Sequence, residues 1–116
     1  MARESEVRAL ARARRAARKL LAQGLYQLQI ADGRAALDAT LARFSDIEPA
    51  RLDPIEHGIL WMALYELRHR PDVPFRVVIS EAVELAKRFG ATDGYKFVNG
   101  VLDRAAGELR PGERGA

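Results

Sequence analysis

VPFRVVISEAVELAKRFGATDGYKFVNGVLDR, residues Val73 to Arg104, reads as two amphipathic helices joined at a glycine. Phe75, Val78, Ala82, Leu85 and Phe89 recur at helical spacing and share one face. Asp72 is placed to cap that helix, Pro74 suits its first turn, and Gly90 stands where a left-handed stop residue belongs. Thr92 or Asp93 can cap a second helix, whose Val98, Val101, Leu102, Ala105 and Leu109 form another single stripe. The wording predicts a helical hairpin on which the upstream chain packs, and hence an all-α fold.

Immediately upstream, Asp53 as cap, Pro54 in the first position and Glu56 in the third make a capping-box start. The helix from Pro54 to about His69 is apolar nearly all round, with Ile55, Ile59, Met62 and Ala63 on one side and Leu60, Leu64 and Leu67 on another. Such a helix belongs at the centre. Trp61 and Tyr65 form a pair four residues apart that suits core or rim packing, and Glu66 falls in angle between Ile59 and Met62, which calls for hydrogen bonds or a basic partner. A shorter helix carrying Leu37, Leu41 and Phe44 precedes it, ending near Ser45-Asp46. Ala31-Asp32-Gly33 separates that helix from a long N-terminal one, from about Arg3 to Ile30. Beyond Leu109 no periodicity remains, so one domain is expected over residues 1–110 and a flexible tail over 111–116.

A chain of 116 residues, 48% of them apolar, suffices for one self-standing core. The absence of cysteine excludes a disulfide framework, a thiolate metal site and a thiol nucleophile. No apolar run is long enough to span a bilayer and no signal peptide is legible, so the cytoplasm is the default and no membrane role is expected. The net charge of +3 is unevenly spread. Arg3, Arg8, Arg12, Arg14, Arg15, Arg18 and Lys19 crowd the N-terminus against Glu4 and Glu6, a block that suits a polyanion. On a helix, Arg8, Arg12, Arg15, Lys19 and Tyr26 share one side, while Leu10, Ala17, Leu21, Gly24, Leu25 and Leu28 line the other. A solvated charged face and a nucleic-acid surface both fit this pattern. Cations in the first turns oppose the helix dipole, which a bound anion would relieve.

Catalytic chemistry is not legible. His57 and His69 stand twelve apart without a cluster of ligand spacing, so no metal and no cofactor are expected. Glu81 and Glu84 lie on a polar helix face with Arg88 four residues beyond Glu84, which reads as surface pairing. An enzyme is not expected.

EAVELAK followed by FGATDGYKFVNGVLD resembles the C-terminal signature of the transcription antitermination protein NusB family, a likeness that extends back through DPIEHGILWMALYELRHRPDVPF and reappears in RARRAARKLLAQGLYQLQ. The resemblance implies a compact NusB-like helical bundle of about five helices. It also implies a role: binding boxA-type single-stranded RNA together with the small-subunit ribosomal protein NusE, within an antitermination complex with RNA polymerase that supports ribosomal RNA transcription. Carried over by motif, the RNA-binding residues would be Arg14, Arg15 and Arg18, Gln23 and Tyr26 of the QGLY segment, and Asp93, Lys96 and Phe97 of the DxxKF segment. Glu56 matches a position that meets the protein partner, and Trp61 replaces a residue that is commonly basic in the family.

One piece of the family pattern is missing. Family members carry about two more helical segments between the N-terminal helix and the stretch matching Leu37 to Phe44, where Asp32-Gly33-Arg34 runs almost directly across. Leu21, Leu25 and Leu28 would then lack their usual cover, so self-association through the N-terminal helix, or its repacking onto Leu37, Leu41 and Phe44, is expected. A protein-interaction or oligomerisation module that has lost sequence-specific RNA binding is the alternative function; an accessory domain of an RNA-modifying enzyme is a third reading.

Overall fold

The computed structural model describes residues 33–114 together with Arg8. Its elements are α1 (Arg34–Phe44), a 3-10 turn (Pro49–Arg51), α2 (Pro54–His69), α3 (Phe75–Phe89), α4 (Gly94–Leu109) and a final helical turn, α5 (Pro111–Arg114). The described residues contain no strand, and none of their helices is long and apolar enough to cross a membrane. The fold is all-α, as the apolar periodicity requires.

α2 occupies the centre and packs on α1, α3 and α4, while α3 and α4 lie against each other as the expected hairpin. Its Ile59, Leu60, Ala63, Leu64 and Leu67 are all buried. They meet Leu37 and Leu41 of α1, Val78, Ala82 and Ala86 of α3, and Val98, Val101, Leu102, Ala105 and Ala106 of α4. Each fully buried Leu or Val contributes about 1.5–3 kcal/mol relative to exposure. The buried alanines on α3 and α4 let the helix axes approach closely, since axis separation follows side-chain size at the contact. Whether the N-terminal helix repacks onto Leu37 and Leu41 lies outside the described residues.

The helix ends depart from the sequence expectation in an instructive way. Asp53 does cap α2, its Oδ2 accepting from the backbone N–H of Ile55 at 3.1 Å and of Glu56 at 3.2 Å. Asp72 does not cap α3. The N-cap residue there is Pro74, and Asp72 instead receives two hydrogen bonds from the Arg70 guanidinium, at 3.1 Å each. The first N–H of α3, on Phe75, donates to Glu113 Oε2 at 3.0 Å. A residue of the aperiodic tail therefore supplies the missing cap.

Glu113 also receives the guanidinium of Arg110 at 3.0 Å, and Arg110 is buried. Its remaining donors reach the carbonyls of Glu66 (3.0 Å), Leu67 (2.6 Å), Arg70 (2.7 Å) and Val73 (2.9 Å). Those oxygens lie at the C-terminal end of α2 and in the turn to α3, where a helix runs out of internal partners and a cation complements the dipole. Residues 110–113 thus clip the α2–α3 junction. At the far end of α1, Arg104 donates twice to the Phe44 carbonyl, at 3.1 and 2.7 Å, and Arg43 pairs with Glu108.

Candidate nucleic-acid interface

Of the residues carried over by motif, Arg14, Arg15, Arg18, Gln23 and Tyr26 lie outside the described residues, whereas Asp93, Lys96 and Phe97 are brought together where α3 turns into α4. The geometry of that turn starts from Glu56. Its carboxyl does not close the capping box back onto Asp53; it points inward, is buried, and its Oε1 has no hydrogen-bond partner among the described residues. It fills the space beneath two glycines. A Cβ on Gly94 would lie 1.4 Å from Glu56 Oε1, and one on Gly90 would lie 3.2 Å from the same oxygen and 2.8 Å from the Ala86 carbonyl.

Gly90 is therefore required for closeness rather than for handedness. Its backbone is extended (φ −85°, ψ −178°), and the left-handed residue of the turn is Asp93, at φ 64°. Aspartate is among the few residues that tolerate this region. The turn is closed by Gly94 N–H donating to the Ala91 carbonyl at 2.9 Å and Lys96 N–H donating to the Asp93 carbonyl at 3.1 Å. Asp93 precedes α4 directly but makes no side-chain cap. Its carboxylate is free instead to meet Lys96, whose Nζ stands 3.5 Å from Oδ1 with both groups exposed.

Burial pushes the Glu56 carboxyl above the ordinary glutamate range; Asp53 adds to that and the Ala91 backbone N–H opposes it. The assignment of Glu56 as a contact to a protein partner thus falls on an enclosed carboxyl, one that shapes the turn from beneath. Phe97 is half-buried, packing on the core cluster while keeping part of its ring accessible. Asp93, Lys96 and Phe97 together present an anion, a cation and an aromatic edge at one end of α4.

Nothing in the apolar periodicity singles out Lys87 or Tyr95, yet they stand next to this group. The Lys87 Nζ lies 5.1 Å from the Tyr95 ring centroid and the Lys96 Nζ 6.0 Å from it, both within cation–π range. Lys87 pairs with Glu84 at 3.7 Å, so Glu84 meets Lys87 rather than the expected Arg88.

On α2, Trp61 and Tyr65 do not stack on each other: Trp61 lies 4.0 Å from the His57 ring and Tyr65 lies 4.8 Å from the His69 ring, centroid to centroid. The Trp61 indole N–H donates to Asp38 Oδ1 at 2.8 Å, and His57 Nε2 stands 2.6 Å from the same oxygen. The tryptophan thereby ties α2 to α1. Glu66 is raised above the ordinary glutamate range by burial first and by the facing Glu81 carboxylate second, with Arg70 pulling against both.

Comparison with known proteins bears on the whole arrangement. The family model described as NusB family matches residues 29–107. A protein of Methylobacillus flagellatus named transcription antitermination protein NusB is 54% identical over 84 residues, which span 72% of this chain and 54% of that protein. A namesake from Xanthomonas axonopodis pv. citri is 52% identical over 87 residues, 75% of this chain and 55% of its own length. The chain thus spans about half the length of the first relatives it matches. A third, from Hahella chejuensis, is 41% identical over 133 aligned positions covering 86% of this chain and 89% of the relative. Since 133 positions exceed this chain's 116 residues, the relative carries residues that this chain lacks. With its helical bundle, its DxxKF turn and these likenesses, the chain belongs to the NusB family.

Proposed function

We propose that this chain is an antitermination factor that acts by binding rather than by catalysis. In this reading it engages boxA-type single-stranded RNA together with the ribosomal protein NusE, within an RNA polymerase complex in the cytoplasm. The observation that carries the reading is the grouping of Asp93, Lys96 and Phe97 on one turn. An exposed ammonium suits a phosphate, and a half-exposed ring suits an unpaired base. Arg14, Arg15, Arg18, Gln23 and Tyr26 supply the rest of the surface, the arginines pairing with the backbone. Glu56 acts at the partner side through the turn that it props from below. The relatives' shared name, transcription antitermination protein, supports the same role.

The test is titration of the full chain into a boxA-like RNA and a scrambled control, with and without NusE, at two salt concentrations. Tighter binding to boxA in the presence of NusE is expected, with affinity falling steeply as salt rises. Replacing Arg14, Arg15 and Arg18 by Ala should flatten that dependence. Equal binding to both RNAs with no help from NusE would overturn the reading.

The gaps that the Hahella relative opens in this chain favour a second reading, an oligomerisation module of the same fold that has lost sequence-specific RNA binding. Light scattering separates the two: a monomer at high concentration counts against self-association.

A further inference from the structure

Lys87 leaves the last turn of α3 and Lys96 the first turn of α4, and both ammonium groups converge on the ring of Tyr95. Neither is bound tightly. Lys87 meets Glu84 at 3.7 Å and Lys96 meets Asp93 at 3.5 Å, long separations between exposed groups three residues apart. Exposed pairs of this kind are weak and screened by salt, so either carboxylate is readily exchanged for a stronger anion. Arg88, exposed beside Lys87, adds a third cation, its guanidinium lying over the Phe89 ring.

The half-buried Tyr95 ring is the fixed part of the group. It packs on the core, and the lysine stems flanking it hold their heads at the mouth of the α3–α4 turn. Lys87 also lines an open groove of about 620 Å³ between α3 and α4, so the cation sits where an extended ligand has room to pass.

We propose that Lys87, Tyr95 and Lys96 form a backbone-gripping subsite for single-stranded RNA, in which phosphates replace Glu84 and Asp93 as the partners of the two ammonium groups. This extends the RNA track from α4 onto α3, and it rests on the reading of the chain as an RNA-binding protein. Phosphate contacts carry no base information, so the subsite strengthens every RNA alike and leaves sequence preference to other residues.

The test is a salt titration of the full chain with its NusE partner on boxA-like and scrambled RNA, comparing Lys87→Ala and Glu84→Gln with the parent. Lys87→Ala should lower the steepness of log affinity against log salt by about 0.7, the value of one phosphate contact on a single strand. Both RNAs should weaken by a similar factor, and Glu84→Gln should tighten both. If the parent binds RNA and Lys87→Ala leaves affinity and slope unchanged, the subsite falls while the wider RNA reading stands. Weakened association with NusE at unchanged RNA affinity in NusE's absence would likewise overturn it, making this surface a protein contact. A parent chain that binds neither RNA would remove both readings together.

Discussion

The Glu56 carboxyl occupies the place where a side chain on Gly94 would begin, 1.4 Å from Oε1 to a Cβ built on that glycine. A buried acid on α2 and the first residue of α4 are thus complementary shapes, and the turn carrying Asp93 rests on their fit. Gly94→Ala must displace the carboxyl, at about 1–3 kcal/mol for overpacking. Urea denaturation should show Glu56→Ala relieving much of that cost, so that the double variant is more stable than the two single losses predict. Strict additivity would mean that the turn relaxes without Glu56.

The same carboxyl makes stability depend on pH. Its affinity for a proton is raised in the folded chain, above that of the unfolded chain, and Glu66 is shifted the same way. Between the ordinary glutamate pKa and the raised folded value, the folded state holds more protons than the unfolded one. Stability therefore declines as pH rises through that window. Glu56→Gln removes one such proton uptake. Melting temperatures across mildly acidic to neutral pH should decline less steeply for the variant, and a profile parallel to the parent would place the uptake elsewhere.

Arg110 is the other buried charge on which the architecture turns. Arg110→Ala strips donors from carbonyls at the end of α2 and leaves Glu113 with only the Phe75 N–H, so a loss of roughly 2–4 kcal/mol is expected by thermal or urea unfolding. Arg110→Lys keeps the charge but not the planar fork that reaches several oxygens at once, and should recover only part of the loss. Full recovery by lysine would reduce the clip to simple charge.

These two residues mark where the sequence is and is not legible. The apolar stripes of Val78 and Ala82, of Leu60 and Leu64, and of Val98 and Leu102 announce their helices because helix period and burial coincide. Asp53 followed by Pro54 announces a helix start because the cap is local. Asp72, equally suited by residue type, loses its place to Glu113, which lies 38 residues away from the N–H that it caps. No local pattern encodes that exchange. Gly90 likewise looks like a left-handed stop, while Asp93 takes the positive φ, because the close approach of Glu56 decides which residue must lack a side chain. The DxxKF turn is legible as a motif; Lys87 and Tyr95 are not, since their encounter depends on the hairpin's closure across Gly90.

Phe97 serves both the core and the candidate RNA surface, so its replacement must separate the two roles. Phe97→Ala would confuse them, because it opens a cavity against the core cluster as well as removing a stacking surface. Phe97→Leu keeps most of the apolar volume and removes only the ring. Its stability should change by less than about 1.5 kcal/mol. If the ring stacks on an unpaired base, RNA affinity should fall by the equivalent of about 1–3 kcal/mol with the salt slope unaltered, since stacking releases no counterions. Parallel unfolding and RNA titrations of this variant read both quantities. An RNA affinity equal to the parent's would confine Phe97 to the core and leave Lys96 and the arginines to carry the RNA.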